Sequence, residues 1–353
     1  MRSKGVRRVA GESSGNVRLR MNQAIGLAIA DEMRSDNSVV VWGEDVGAAG
    51  GVFKVTDGLI EEFGSDRVRD TPISETGFLG AAIGAAVSGL RPVVEIMFIE
   101  FLGVALDQLV TEAALFRYLS AGAYPVPLAL RASAGGGLGF GAQHSGMLER
   151  WLIGTPGLTV AVASGARTGY GLTRAAIRSN DPVVVLEPRR LYAERETFEA
   201  GPDAVISLGT AEIVQSGTDA TIIGLGGTVP VIQEAAADAE WSAEIIDLLT
   251  IAPWDRATVL SSAARTNRVV IVEESPETGG WGAHVASVIS AEMFSSLKAP
   301  VVRITTPDVP VPFAPELEDR FLPTTKEVTH QIECLLSTGA PDPPWWVREG
   351  VTL

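Results

Sequence analysis

Short apolar runs that alternate with helical stretches constrain this chain more than any other feature of its sequence. VVVW at 39–42, PVVEIM at 92–97, VPLALR at 126–131, LTVAVA at 158–163 and PVVVL at 182–186 each read as a buried strand. Between them, helical patterns fall at 22–36, 56–63, 77–89, 101–119 and 166–179. Around 192–208 the pattern lapses into polar residues, and it resumes with strands at 220–223, 244–246, 268–272 and 300–304. Helices are expected between these at 229–239, 255–265 and 283–293, with a closing helix at 325–336. Strand and helix alternating in this way predict an α/β fold, a mostly parallel sheet with helices on both faces. At 353 residues the chain accommodates two domains. The boundaries read as a flexible basic tail at 1–17, a first domain at 18–195, a linker at 196–208, a smaller second domain at 209–340, and a tail at 341–353.

Composition excludes several classes. A formal net charge of −15 argues against binding nucleic acid by phosphate neutralisation. The single cysteine, Cys334, excludes an internal disulfide and a cysteine-rich metal site, and fits a reducing compartment. His144, His284 and His330 are too few for a histidine-rich metal centre. No run approaches the ~18 apolar residues of a membrane span. The N-terminal Arg2, Lys4, Arg7 and Arg8 lack the apolar core of a secretory signal. They leave an organelle transit peptide open, but a disordered tail on a cytoplasmic protein is the expectation.

Two stretches stand out as chemistry. DTPISETGF (70–78) places the carboxylate of Glu75 at the mouth of a helix in which Gly77, Gly80, Gly84 and Gly89 recur. Each interior glycine costs up to about 1 kcal/mol of helix propensity, so the helix reads as buried where another backbone comes close. The bland alternative for Glu75 is an acid favoured at a helix N-terminus. The second stretch, SAGGGLGFGAQHS (133–145), follows a strand, and its glycines allow a ligand or another chain to approach the backbone. Glu44 and Asp45 end the 39–42 strand, at the carboxyl edge where open α/β sheets collect ligands.

No P-loop, HExxH, CxxC or GxSxG is present. His144 beside Ser145 is no hydrolase pair, because sequence neighbours do not normally face each other. GLGG at 224–227, with Asp247 further on, imitates a dinucleotide fingerprint. The sixth position is Val229, however, and a tight strand-to-helix turn is the better reading.

Taken together, DTPISETGF, GLRPVVEIMF, the Asp107-Gln108 pair, AQHS, SNDPVVVLEPRRLY and TPDVPVPF resemble one family in order and over about residues 18–340. The chain resembles the β subunit of the thiamine-diphosphate-dependent 2-oxoacid dehydrogenase first components, which act on pyruvate, branched-chain 2-oxo acids or acetoin. The resemblance implies a transketolase-like pyrimidine-binding domain followed by a transketolase C-terminal-like domain. It implies that Glu75 hydrogen-bonds a ring nitrogen of the cofactor's aminopyrimidine, so that the cofactor acts as its own base. It places Phe101 on the pyrimidine with Met97 on the same wall, Glu44 near the cofactor, and His144 near the thiazolium, assisting substrate binding and acyl transfer to lipoamide. Taken as core, Phe101 and Met97 have a bland alternative. The family commonly binds potassium through backbone carbonyls, here around Leu128, Ala176, Ile177, Ser179 and Asp181.

Thiamine enzymes hold the Mg2+ that carries the diphosphate with a Gly-Asp-Gly motif, and none occurs here. The resemblance therefore implies a separate α subunit carrying Mg2+, an α2β2 assembly, a lipoyl acyltransferase partner and a small 2-oxo acid substrate. Departures from the family pattern are Gly146 after Ser145, Leu249 where an arginine is usual, and Trp281 in place of phenylalanine. Gly146 and Leu249 encourage one alternative, an acyloin-forming carboligase subunit; a second, a catalytically silent partner of α, is opposed by the retention of Glu75, Phe101 and His144.

Overall fold

The structure, a computed structural model, describes residues 14–351. Residues 1–13 of the basic tail read at 1–17 lie outside the described residues, and its last residues are not tail but the start of a strand at Gly15. The first domain runs through β1 (Gly15–Arg20), α1 (Met21–Ser35), β2 (Val39–Gly43), α2 (Leu59–Phe63), β3 (Val68–Asp70), α3 (Glu75–Val87) and β4 (Arg91–Ile96). The long helix expected at 101–119 is instead α4 (Leu102–Asp107), a π-helical turn (Gln108–Ala113) and α5 (Ala114–Leu119). The bulge sits against α3, close enough that a Cβ at Gly80 would stand 2.7 Å from Gln108 Oε1. Next come β5 (Ala129–Ala134), β6 (Thr159–Val162), α6 (Ala166–Arg178), β7 (Val183–Pro188) and β8 (Arg195–Ala200).

The second domain comprises β9 (Glu212–Gln215), β10 (Ala220–Gly224), α7 (Thr228–Ala237), β11 (Ala243–Asp247), β12 (Thr250–Ala252) and α8 (Arg256–Thr266). It continues through β13 (Val269–Pro276), α9 (Trp281–Met293), β14 (Val302–Thr306), α10 (Pro315–Phe321), α11 (Thr325–Thr338) and α12 (Trp345–Arg348).

The larger sheet has seven strands in the order β12-β6-β7-β5-β4-β2-β3. All its pairings are parallel except β12 with β6. The second sheet runs β14-β13-β10-β11-β9, with β9 antiparallel at its edge. The expected mostly parallel architecture is therefore present in both domains. Val41, Val93, Leu130 and Val184 are nearly or fully buried at the centre of the larger sheet, as strands covered on both faces require.

Three sequence readings need correction. The stretch read as a linker contains β8, which pairs antiparallel with β1. Its polar alternation is that of a two-stranded ribbon with one face in water: Phe198 and Ala200 are buried while Arg195, Thr197 and Glu199 are exposed or only partly covered. Helix α3 is only half buried. Phe78, Leu79, Ala82, Ile83 and Ala86 face the core, whereas Gly77, Ala81, Gly84 and Ser88 lie on the surface. In the segment read as a C-terminal tail, α12 packs Trp346 into the protein, with 5% exposure.

The two domains share structure. β12, from beyond the linker, joins the first domain's sheet, and one hydrophobic core runs from Phe78 through Leu186 to Trp281 and Met293. The GLGG turn serves this contact. Gly226 has φ +57°, and a Cβ there would stand 2.6 Å from Val162 Cγ1. Asp247 is buried and hydrogen-bonded to Ser164, so it is not available to a ribose. The tight-turn reading is the one the geometry supports.

Candidate active site

The carboxyl ends of adjacent parallel strands gather the residues singled out from the sequence. Glu44 follows β2, Glu75 opens α3 after β3, and Met97 and Phe101 follow β4. His144 lies in the glycine loop after β5. Such an edge places loop side chains over a rigid base with their backbone polar groups pointing outward.

Glu44 is half-buried, and its Oε1 is buried without a hydrogen-bond partner. Burial pushes its pKa above the ordinary carboxylate range, and the charges of Glu75 and Asp45 raise it further. Glu44 and Glu75 thus share one electrostatic environment although they come from different strands. Glu75 is half-buried in the first turn of α3, where no side chain caps the helix.

An aromatic cluster forms the other wall. The His144 ring stacks on Phe98 with centroids 4.6 Å apart and meets the edge of Phe101 at 5.4 Å. Phe98 also packs edge-on against Phe53 and Phe140, at 5.5 and 5.9 Å. His144 Nδ1 is buried with no partner. Glu100 accepts a hydrogen bond from Gly146 N at 2.7 Å through one oxygen, while its other oxygen is buried and unpartnered. Met97 is half-buried, and its carbonyl accepts from Ser133 Oγ.

Sequence reasoning missed Arg189, which follows β7. Its guanidinium is almost wholly buried, lies 4.9 Å over the Phe98 ring and 5.3 Å over Phe140, and donates to the carbonyls of Gly135 (2.7 Å) and His144. It sits inside EPRRLY, but nothing local distinguishes it from a surface arginine. Beneath the site, Arg131 bridges Glu95 and Glu187, bonding Glu187 at 2.8 and 2.6 Å, and Tyr192 donates to Glu187 at 2.5 Å. Burial pushes Glu95 upward. Such a satisfied polar network stiffens the strands that carry the site.

The residues expected around potassium also come together. Val126 N donates to the Asn180 carbonyl at 3.2 Å, and Val183 N to that of Leu128 at 2.9 Å, which draws the 176–181 turn beside Leu128. Arg91 donates to the carbonyls of Ile177 and Ser179 at 3.0 and 2.8 Å. Ser179 N donates to Ala176 O at 3.2 Å, Ser179 Oγ to Asp181 O at 2.9 Å, and the Asp181 carboxylate pairs with Arg117 at 2.7 Å. The carbonyl cluster is suited to a positive charge, and Arg91 already supplies one.

Elsewhere among the described residues, His330, Cys334 and Asp342 bring ligand atoms within 4.8 Å of one another. His330 and Asp342 bond each other at 2.9 Å, and Arg348 stands 3.6 Å from the same carboxylate, so these groups already have partners. No helix among the described residues is long and apolar enough to cross a membrane.

Comparison with known proteins gives this arrangement its context. Residues 18–195 match the family described as transketolase, pyrimidine binding domain, and residues 209–328 the transketolase C-terminal domain. The chain is 40% identical over 319 residues to the pyruvate dehydrogenase E1 component subunit beta of Staphylococcus epidermidis, covering 90% of this chain and 98% of that one. The chain belongs to the β-subunit family of the 2-oxoacid dehydrogenase first components. A mitochondrial pyruvate dehydrogenase E1 subunit beta-1 of Arabidopsis thaliana is 41% identical over 90% of this chain and 89% of its own length. The acetoin:2,6-dichlorophenolindophenol oxidoreductase subunit beta of Bacillus subtilis is 40% identical, over 87% and 94%. Among solved structures, a split-gene transketolase described as an inactive beta4 tetramer superposes with a TM-score of 0.74, covering 90% of this chain and 98% of that one. At 23% identity it supports the fold alone. The β subunit of this family works with an α subunit, and dependence on thiamine diphosphate follows from the same membership.

Proposed function

We propose that this chain supplies the pyrimidine-side half of a thiamine diphosphate site whose Mg2+ and diphosphate half lies on α, in an α2β2 assembly. The reaction is oxidative decarboxylation of a small 2-oxo acid with transfer of the acyl group to a lipoyl acyltransferase. The observation that carries this reading is the meeting of Glu75, Glu44, Phe101 and His144 at one edge of the sheet, with buried polar atoms on Glu44, Glu100 and His144 left unpartnered. Buried polar atoms are normally satisfied, so this concentration fits a polar heterocycle and its substrate.

When bound, the cofactor supplies the electron sink for loss of carbon dioxide. Glu75 would hydrogen-bond a ring nitrogen of the aminopyrimidine. Glu44, its carboxyl pushed upward by burial and by the charge of its neighbour, lies beside it. Phe101 and Met97 form an apolar wall that orients the ring and excludes water. His144, its ring fixed by Phe98 and Phe101, presents Nδ1 to the substrate oxygens.

The test is 2-oxo-acid-dependent reduction of dichlorophenolindophenol by the chain alone and by the chain co-expressed with α, with thiamine diphosphate and magnesium. Turnover is expected only in the mixture, falling at least about a hundredfold in Glu75→Gln. Full turnover by an assembled Glu75→Gln variant would instead indicate a silent partner of α. Carbon dioxide release on adding an aldehyde, without dye reduction, would indicate a carboligase.

A further inference from the structure

The glycine loop between β5 and β6 bears His144, and its two aromatic side chains, Phe140 and His144, pack on Phe98. Gly137, Leu138, Phe140, Ala142 and Gln143 are exposed, and Gly135, Gly137, Gly139 and Gly141 all have positive φ. Backbone groups and charged side chains fix the rest of it. Gly135 N closes the base by donating to Gly146 O at 2.9 Å. Arg189 takes the carbonyls of Gly135 and His144, and Glu100 takes Gly146 N.

The remaining two anchors come from the second domain. Gly136 N donates to Glu274 Oε1 on β13 at 2.6 Å, and Gly139 N to Glu318 Oε2 on α10 at 2.8 Å. Glu318 is 2% exposed, and its other oxygen has no partner. Hydrogen bonds from backbone N–H to a buried carboxylate are the strong, charge-assisted kind. The glycines make this approach possible. A Cβ at Gly135 would stand 2.6 Å from Glu274 Oε1, and one at Gly136 3.2 Å from Glu318 Oε1.

We propose that Glu318 and Glu274 are positioning residues, which hold the glycine loop from the second domain in the conformation that presents His144 to the reacting centre. The inference rests on the reading of His144 given above. Its consequence is that the second domain, remote from the chemistry in sequence, sets the geometry of the acyl-transfer side of the site.

A double-mutant cycle in the co-expressed α–β enzyme tests it, with pyruvate or 2-oxoisovalerate as substrate and dichlorophenolindophenol as acceptor. Glu318→Ala should lower kcat about tenfold or more while leaving the thermal midpoint near that of the parent, since small misplacements of a catalytic group are costly. Glu318→Gln keeps an acceptor oxygen and should recover most of the loss. In a His144→Ala background, Glu318→Ala should add nothing. An equal fold-loss in both backgrounds, or no loss in either, overturns the proposal. If His144→Ala alone is as active as the parent, the reading of His144 fails, and amide exchange over 135–146 then decides the clamp by itself. Exchange about tenfold faster in Glu318→Ala supports it, and unchanged exchange removes it. Glu274→Ala serves the same cycle if Glu318→Ala does not fold.

Discussion

Glu44 and Glu75 come after different strands, yet the charge of Glu75 further raises the Glu44 carboxyl that burial already pushes upward. A carboxyl with an unpartnered buried oxygen beside a second acid is unfavourable in a structure with no ligand role. Both residues had a bland local reading in the sequence, as a strand-end acid and a helix-first-turn acid. Their meeting favours the functional one. Arg91 teaches the opposite lesson. The carbonyls expected around potassium accept from Arg91, from the backbone or, at Asp181, from Ser179 Oγ, but each oxygen keeps a second lone pair. If potassium is held there beside Arg91, exchanging it for sodium should lower the thermal midpoint of the α–β assembly by about 3 °C or more. An unchanged midpoint would leave the guanidinium as the cation of that turn.

Helix α3 shows how an element can be read correctly and placed incorrectly. Its existence follows from the run of small and apolar residues, and Gly80 meets the π-helical turn as a close approach requires. The face bearing Gly77, Ala81, Gly84 and Ser88 is exposed, and a Cβ at Gly84 would meet nothing within 4 Å. Contacts within the chain therefore do not explain Gly84; we propose that this face is where an α subunit docks. Gly84→Leu should leave the thermal midpoint of the isolated chain within about 2 °C, because the site is open. Its co-purification with α should fall about tenfold or more. Normal assembly by this variant would move the α interface away from α3.

At the scale of the whole molecule, the second domain is part of the first domain's machinery. β12 extends the larger sheet, the Gly224–Gly227 turn packs on Val162, and Glu149 bonds Ser275 across the domain boundary. Burial raises the Glu149 carboxyl to about 8 and that of Asp247 to about 7. Both therefore bind a proton in the folded chain that the unfolded chain releases near its ordinary carboxylate pKa. The sign follows directly: their contribution to stability is complete at low pH and is lost as pH rises through about 8. The thermal midpoint of Glu149→Gln, measured at intervals from pH 5 to 9, should fall less steeply than that of the parent. Parallel profiles would show that Glu149 is ionised in the folded protein.

By itself the sequence determined the alternation of strand and helix, the two α/β domains, and the family, because periodicity and linked motifs are local properties written along the chain. It also named Glu75, Glu44, Met97, Phe101 and His144, though only a resemblance gave them roles. It did not reveal the β1–β8 ribbon, the transfer of β12 into the other domain's sheet, Arg189, or the grip of Glu274 and Glu318 on the glycine loop. Each of these depends on residues far apart in sequence that become neighbours only when the domains close on one another. A buried arginine or glutamate carries no local mark that separates it from one in water. Its environment, and hence its work, is decided by the tertiary structure.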